Sequence, residues 1–514
     1  MGSLHERNPS VWVATTPQTS YPHLAGPVTV DVAVVGGGIT GLTTAFLLKQ
    51  TGATVAVIEA DRIASGTTGY TTAKITALHG LTYAQLISEH GAEKARLYAE
   101  ANQAGIEQVV ALVDQLGVDC QLQRQAAYTY AETDERQDDI AAEVEAAASI
   151  GLPVTYVEQT TLPFPIRAAA RLDNQAQIHP RRYCLALAEA IAGDGCQIFE
   201  QTRALDIDEE ADQITVHTDR GDVAADQVVI ATLLPFSLIG GFFAKAQPSR
   251  SYAIAVRLQG EAPSGMYLRA ESPTRSIRPL LLDGEAGLVL GGASHKTGQE
   301  THTEAYYDEL EQWAASAFAV RSIDYRWSAQ DYTTVDSLPY VGRSPRRSRA
   351  FVATGFKKWG MSNGTAAAML LSDLLQGRDH PWAAVYDATR IGDIGTTAKL
   401  VKENIGVAKR FVQDRLAHRH APALKDLRGG EGRVVDLEGD KVGVYRDHDG
   451  AVHAVSVTCT HMGCALNWNS AETTWDCPCH GSRFDHKGRI INGPAIKGLT
   501  HLTLDAAEQV NPDD

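Results

Sequence analysis

Two hydrophobic periods, one of strands and one of helices, alternate along the chain and divide it into regions. Residues 30–62, "VDVAVVGGGITGLTTAFLLKQTGATVAVIEADR", run from a β-branched stretch through a glycine turn into a helical pattern, then out to a second β-branched stretch ending in Glu59. That order predicts a βαβ unit. Between about 80 and 150 the spacing turns helical, in "YAQLISEHGAEKARLYAEANQAGIEQVVALVDQLG" and "ETDERQDDIAAEVEAAASIG", with acidic faces that read as solvated surface. A helical insertion is expected there. Strand-like runs return at "QITVHTD", "AADQVVIAT", "AIAVRLQ" and "AGLVLGGASH", and "RAFVATGFKKWGMSNGTAAAMLLSDLL" offers a glycine-rich turn leading into a helix. The first large domain is expected to end near 390.

Over 397–416, "TAKLVKENIGVAKRFVQDRL" places Val401, Ile405, Ala408, Val412 and Leu416 on one helical face, so a linker helix is expected. The Pro- and Gly-bearing "HAPALKDLRGGEGR" follows, then the short runs "RVVDLEG", "KVGVYRD" and "AVHAVSV" between Gly and Asp turns. These predict a small all-β domain of under a hundred residues. There is no internal repeat.

At 514 residues the chain is long enough for two or three domains. A formal net charge of −16, with no basic tract, argues against nucleic acid as the main partner, because phosphate binding relies on clustered Lys and Arg. The first twenty residues lack a charged-then-apolar signal pattern, and no apolar run approaches the roughly 20 residues that span a bilayer. The expected location is therefore the cytoplasm. Cys120, Cys184 and Cys196 are scattered and read as ordinary buried thiols, whereas Cys459, Cys464, Cys477 and Cys479 are grouped. Only the group calls for a chemical explanation.

Gly36, Gly38 and Gly41 form a G-x-G-x-x-G between a strand and a helix, and Glu59 closes the next strand. Such glycines permit a tight turn and close approach of a pyrophosphate, helix N–H groups bind it, and the acid accepts from ribose hydroxyls. One fingerprint, with no second copy for a separate nicotinamide domain, favours a resident flavin. The segments "DVAVVGGGITGL", "VIEADRIASGTTGYTTAKIT", "VLGGASHKTG", "DSLPYVG" and "VATGFKKWGMSNGTAAA" resemble the D-amino-acid oxidase type of FAD-dependent oxidoreductases over about residues 10–390. This resemblance implies that Gly36, Gly38, Gly41 and Glu59 hold the ADP half of FAD, with Arg62 and Thr67 nearby. It also implies that Gly355, Gly360 and Met361 line the flavin ring or ribityl chain, near a helix N-terminus. Lys74, His79, His295, Lys296, Lys357 and Trp359 fall in segments the family uses around the flavin and are the candidates for substrate contact. Each taken singly also reads as a surface or packing residue. No residue identifies a covalent flavin link.

Cys459-x-His461 and Cys477-x-x-His480 supply two Cys and two His, with fifteen residues between the pairs. Zinc accepts such a set, and a structural Cys2His2 site is the competing reading. Mixed Cys/His pairs depart from the usual zinc-finger order and suit an asymmetric 2Fe-2S cluster, with thiolates on one iron and imidazoles on the other. "CTHMGC" and "CPCHGS" resemble the two boxes of Rieske proteins, of the respiratory type in particular, over about residues 424–505. The match implies that Cys459 and Cys477 ligate one iron and His461 and His480 the other. It further implies that Cys464 and Cys479 form a disulfide, and that "INGPAIKG" is the loop covering the cluster. A role for Cys464 and Cys479 as free thiols stays open, since cytoplasm disfavours disulfides unless they are buried. Respiratory relatives have Tyr where this chain has Phe484, while Ser482 keeps its hydroxyl. Losing one donor to a sulfur that grows more negative on reduction should lower the potential.

These readings predict an α/β FAD-binding Rossmann-type domain with an interleaved α+β substrate domain over 1–390, a helical linker over 391–423, and a small all-β Rieske domain over 424–514. The expected activity is oxidation of a small-molecule amine or amino acid at FAD, with electrons leaving through the 2Fe-2S cluster to a one-electron acceptor protein. Reverse flow from a donor protein, or a structural or redox-sensing role for the Rieske domain, are the alternatives. A ring-hydroxylating oxygenase would need a mononuclear iron on two His and a carboxylate. No H-x-x-x-H motif with a separate acid is present, and "HRH" at 418–420 falls in the expected linker.

Overall fold

In the structure, a computed structural model, residues 8–390, 426–437 and 440–503 are described. Strand Val28–Val35, helix Ile39–Gln50 and strand Val55–Ile58 form the βαβ unit, the strands pairing in parallel with Val32 opposite Val55 and Val35 opposite Ile58. Val55–Ile58 is buried on both faces, which accounts for its unbroken apolar run. The parallel core runs Ala350–Thr354, Asp222–Ile230, Val28–Val35, Val55–Ile58, Gln197–Phe199, and Tyr340–Arg343 adds antiparallel at one edge. Strands from both ends of the large domain thus meet in one sheet, and helix Gly360–Leu375 packs against Ile39–Gln50.

A second sheet has nine strands. Its path is Val320–Thr334, Ala246–Leu258, Glu285–Lys296, Arg275–Leu282, Met266–Arg269, Gln123–Ala131, Ala168–Gln177, Lys74–Ile75, with Thr155–Val157 pairing Ala168–Gln177 off the path. The helical region expected between 80 and 150 contains helices Tyr83–His90, Ala92–Leu116 and Asp134–Ser149, but Gln123–Ala131 interrupts it as a strand. Its outer half is partly exposed and only its end is buried, so it carries no clean two-residue alternation to betray it.

The three expected C-terminal strands occur as Gly432–Leu437, Asp440–Arg446 and Val452–Ser456, joined by His501–Leu502 in one antiparallel sheet. A second antiparallel sheet stacks Asn467–Asn469, Thr474–Asp476, Arg483–Asp485 and Ile490–Asn492. The linker helix expected over 397–416 lies outside the described residues. No helix among the described residues is long and apolar enough to cross a membrane.

The small domain is seated on the large one through buried polar and apolar contacts. Ala471 joins an apolar cluster with Tyr130, Tyr252 and Tyr307. Glu472 accepts from the Tyr307 hydroxyl at 2.9 Å and faces the buried Arg250 at 3.6 Å. The Thr303 hydroxyl donates to Asn469 at 2.8 Å, and the Asn467 amide donates to the Gly298 carbonyl at 2.7 Å. Each such bond contributes about 1 kcal/mol when both partners are buried.

Candidate functional site

A cavity of about 640 Å³ opens where the parallel strands end and the helices Ile39–Gln50 and Gly360–Leu375 begin. This is the ligand position expected of an open α/β sheet, and the volume lies in the range of cofactor clefts. Gly36 sits at φ +115°, and a β-carbon there would fall 2.5 Å from the Ala231 carbonyl oxygen. A β-carbon on Gly41 would fall 2.0 Å from the Gly36 oxygen. Both positions require glycine so that the turn can fold tightly beneath a phosphate. Gly38 caps the helix from an extended conformation with no side-chain cap, and Gly38, Ile39 and Thr40 at the helix start line the cavity. The Glu59 carboxylate accepts from the amides of Gly37 at 2.7 Å and Asp61 at 2.8 Å, and burial raises its pKa. These features fit the ADP half of FAD.

Farther along the cavity stand Thr67, Lys74, Lys357, Lys358, Trp359, Gly360 and Met361. Lys74 is 8 % exposed, and its ammonium donates to the Tyr267 carbonyl at 3.0 Å and lies 5.8 Å from the centre of the Trp359 ring. Burial, helped by the charge of Arg278, lowers its pKa to about 7. Among the described residues no carboxylate forms a salt bridge with it. Lys357 and Lys358 both hold positive φ, at 50° and 69°, a conformation that costs about 1–3 kcal/mol per residue unless its surroundings enforce it. Here the Lys357 amide donates to the Tyr332 carbonyl at 3.1 Å and the Lys358 amide donates to the Asp331 carboxylate.

Other candidates sit outside the cavity. His79 stacks behind Trp359 at 4.5 Å, accepts from the Tyr98 hydroxyl at 2.7 Å and donates to the Thr76 carbonyl at 2.7 Å. Burial pushes its pKa to about 3, so its imidazole is neutral, and it stands behind Trp359 and not among the residues that line the cavity. His295 is held by Tyr252 at 3.0 Å and by stacking on Tyr306 at 4.7 Å, while Lys296 projects to the exposed side of the same strand. Arg62 turns to the Thr19 carbonyl and to Glu200 at 3.6 Å. Gly355 lies beneath the loop, against Thr334.

In the small domain, Cys459, His461, Cys477 and His480 converge between two loops. The sulfurs of Cys464, Cys477 and Cys479 lie within 4.8 Å of one another, but Cys464 and Cys479 are joined in a disulfide with Cα atoms 6.6 Å apart. They have no thiolate to offer. The free thiols of the small domain's described residues are Cys459 and Cys477, both buried. A hydrogen bond from Cys477 lowers the pKa of Cys459 to about 7 and, with burial, raises that of Cys477, so one thiolate of the pair comes readily; burial lowers the pKa of His480 to about 4 and keeps its imidazole neutral. The rings of His461 and His480 lie 5.2 Å apart, and Nδ1 of each is buried without a hydrogen-bond partner. Buried, unpaired ring nitrogens beside two thiols fit a metal cluster with one sulfur pair and one nitrogen pair.

The outer edge of that cluster site faces the large domain. Nε2 of His461 donates to the Ser237 carbonyl at 3.2 Å, which leaves Nδ1 as the unprotonated nitrogen. The Ser237 amide donates to the Pro494 carbonyl at 3.0 Å. Phe243 meets both imidazoles edge-on, at 5.2 and 5.0 Å. The loop expected to cover the cluster reaches further still, since Ile491, Asn492, Gly493, Ala495 and Ile496 line the same cavity as the glycine turn. Ser237, Phe243, Tyr332 and Asp331 are absent from any sequence motif; only packing across hundreds of residues brings them here.

Comparisons with known proteins agree with this geometry. The profile described as FAD dependent oxidoreductase matches residues 31–374, and that of the Rieske [2Fe-2S] domain matches residues 420–503. The putative Rieske 2Fe-2S iron-sulfur protein YhfW of Bacillus subtilis is 38% identical over 496 residues, covering 96% of this chain and 97% of its own. Glycine oxidase of Geobacillus kaustophilus is 26% identical over 392 residues, 71% of this chain and 98% of its own. The crystal structure of that glycine oxidase superposes with a TM-score of 0.60 at 22% identity, over 71% of this chain and 100% of that one. The chain belongs to the FAD-dependent oxidoreductases of the D-amino-acid oxidase type and carries a Rieske [2Fe-2S] domain at its C-terminal end.

Proposed function

We propose that this enzyme oxidises an amine or amino acid and passes the electrons singly through the Rieske cluster to an external one-electron acceptor. The observation that carries the reading is the shared wall: Ile491, Asn492, Gly493, Ala495 and Ile496 of the cluster-covering loop line the same cavity as Gly36 and Gly360. Bound FAD supplies the hydride acceptor for a C–H bond next to nitrogen. Gly36, Gly38, Gly41 and Glu59 hold its ADP half, and Gly360 and Met361 meet it at the second helix. Lys74 binds the substrate carboxylate. Among the described residues its ammonium meets a carbonyl and a ring and feels the like charge of Arg278, so it regains stabilisation when an anion enters. Trp359, backed by His79, forms the wall that keeps water from this end. The likeness to glycine oxidase supports the amino-acid class.

On this reading Cys459, His461, Cys477 and His480 hold the cluster. The test compares wild type with Cys459→Ala under anaerobic conditions, using a panel of amino acids as donors and ferricyanide as acceptor. The variant should still bleach its flavin with the active amino acid and should lose most ferricyanide reduction. Wild-type turnover in the variant would sink the relay. Loss of flavin instead would assign the Rieske domain a structural role, and a wild-type flavin that oxidised no donor would favour reverse flow.

A further inference from the structure

Between flavin cavity and cluster site lies strand Val320–Thr334, where Gln330 lines the cavity and Tyr332, just behind that lining, hydrogen-bonds to residues on both sides. The Tyr332 carbonyl accepts from the amide of Lys357, in the loop that lines the flavin cavity, at 3.1 Å. The hydroxyl at its other end donates to the His480 carbonyl at 3.0 Å and lies 3.4 Å from the Gly493 carbonyl, in the covering loop. Gln330, two residues back on the same face, donates to the Tyr332 hydroxyl at 3.0 Å and to the Gly481 carbonyl at 2.8 Å. Both side chains are at most 2 % exposed. Gly481 sits at φ +76°, and a β-carbon there would fall 2.8 Å from the Tyr332 hydroxyl and 2.5 Å from Pro248. The cluster loop is therefore pressed directly onto this tyrosine.

We propose that Tyr332 is the positioning residue that couples the flavin loop to the cluster, completing a path of two hydrogen bonds and one side chain from Lys357 to His480. The proposal rests on the relay reading above. In each transfer the reduced flavin loses one electron and one ferric ion of the cluster gains it. The flavin's protons pass to water, and a one-electron acceptor of the ferric-haem or ferricyanide class reoxidises the cluster before the next transfer. A hydrogen-bonded path fixes the distance between the two centres and makes transfer independent of diffusional docking. Phe243 and Ser237 close the imidazole edge from the other side, so the cluster presents that edge to its own flavin domain.

The experiment uses full-length holoprotein, light-driven reduction of the flavin by EDTA with deazaflavin, and bleaching and EPR of the cluster as readouts. In Tyr332→Phe, which keeps the ring and removes the hydroxyl, the first-order rate of cluster reduction should fall severalfold. The cluster midpoint potential and flavin reduction by substrate should stay at wild-type values. The slowed rate should also stay independent of solvent viscosity, because coupling is weakened while the domains remain docked. Gln330→Met, which removes the supporting donor, should slow the transfer in the same sense if Tyr332→Phe proves unstable. Wild-type rates in a folded variant overturn the bridge, and so does a slowed rate that becomes viscosity-dependent, which would make Tyr332 a clasp and nothing more. Absence of flavin-to-cluster transfer in wild type would sink the relay itself and the bridge with it.

Discussion

The Ser237 carbonyl accepts a hydrogen bond from Nε2 of His461 at 3.2 Å, tying a cluster-site imidazole to the flavin-binding domain 224 residues earlier in the chain. Ser237 itself holds φ +56°, a conformation non-glycine residues seldom adopt. Its two backbone groups both turn toward the Rieske domain, one to His461 and one to Pro494. A carbonyl can only accept, so this contact sets the tautomer of His461 and turns the bare Nδ1 to the metal site.

Gly36→Ala should abolish flavin retention. The new methyl group would meet the Ala231 oxygen at 2.5 Å in a backbone region that disfavours it, so the turn must open where the pyrophosphate would lie. Purified variant should lack flavin absorbance while keeping the EPR signal of its reduced cluster.

Lys74→Met should weaken carboxylate binding by about 10–100-fold, the equivalent of one charge-assisted hydrogen bond of about 1.5–3 kcal/mol. The pH dependence has a definite sign. Burial places the lysine pKa near about 7, so the ammonium is present below that pH and is lost above it. The dissociation constant of a simple carboxylate inhibitor, titrated against the flavin spectrum, should rise as pH climbs through 7 in wild type and stay flat in the variant. The opposite slope would exclude Lys74 as the anion partner.

Phe484→Tyr should raise the cluster potential. Phe484 is wholly buried in the same apolar cluster as Cys459 and Cys477, and a hydroxyl there can donate to sulfur that becomes more negative on reduction. An increase of about 60 mV, the one-electron equivalent of a tenfold change, is expected in an EPR-monitored titration. An unchanged or lower potential would count against the account.

Gly481→Ala should loosen the seat of the small domain. Its methyl group would collide with Pro248 and the Tyr332 hydroxyl, and relief by backbone shift costs about 1–3 kcal/mol. Amide hydrogen exchange at residues 478–482 and around Gly298 should accelerate, with little change in the parallel sheet.

Much of this site was legible in one dimension because its parts are local. The glycine turn needs Gly36, Gly38 and Gly41 within six residues and each Cys/His pair lies within a single loop, so spacing pointed to a phosphate turn and a metal site, and the resemblance to Rieske proteins chose the cluster over zinc. The substrate end was less legible. His79 and Lys74 sit five residues apart in the same segment, and nothing in the string says that one backs a tryptophan while the other faces the cavity. Lys74 lies in the strand Lys74–Ile75 and lines the cavity, whereas His79 falls in the segment after it, stacked on Trp359.

By itself, then, the sequence determined two cofactor-binding domains, their order, and the ligand types at each, because short-range backbone geometry and donor chemistry dictate those. Tertiary structure alone decided how the centres face each other. Ser237, Phe243, Gln330 and Tyr332 bear no motif and acquire meaning only when the cluster loops are pressed against them. Burial and hydrogen bonding between residues more than a hundred positions apart are set by packing of whole sheets, a cooperative quantity that no local pattern encodes.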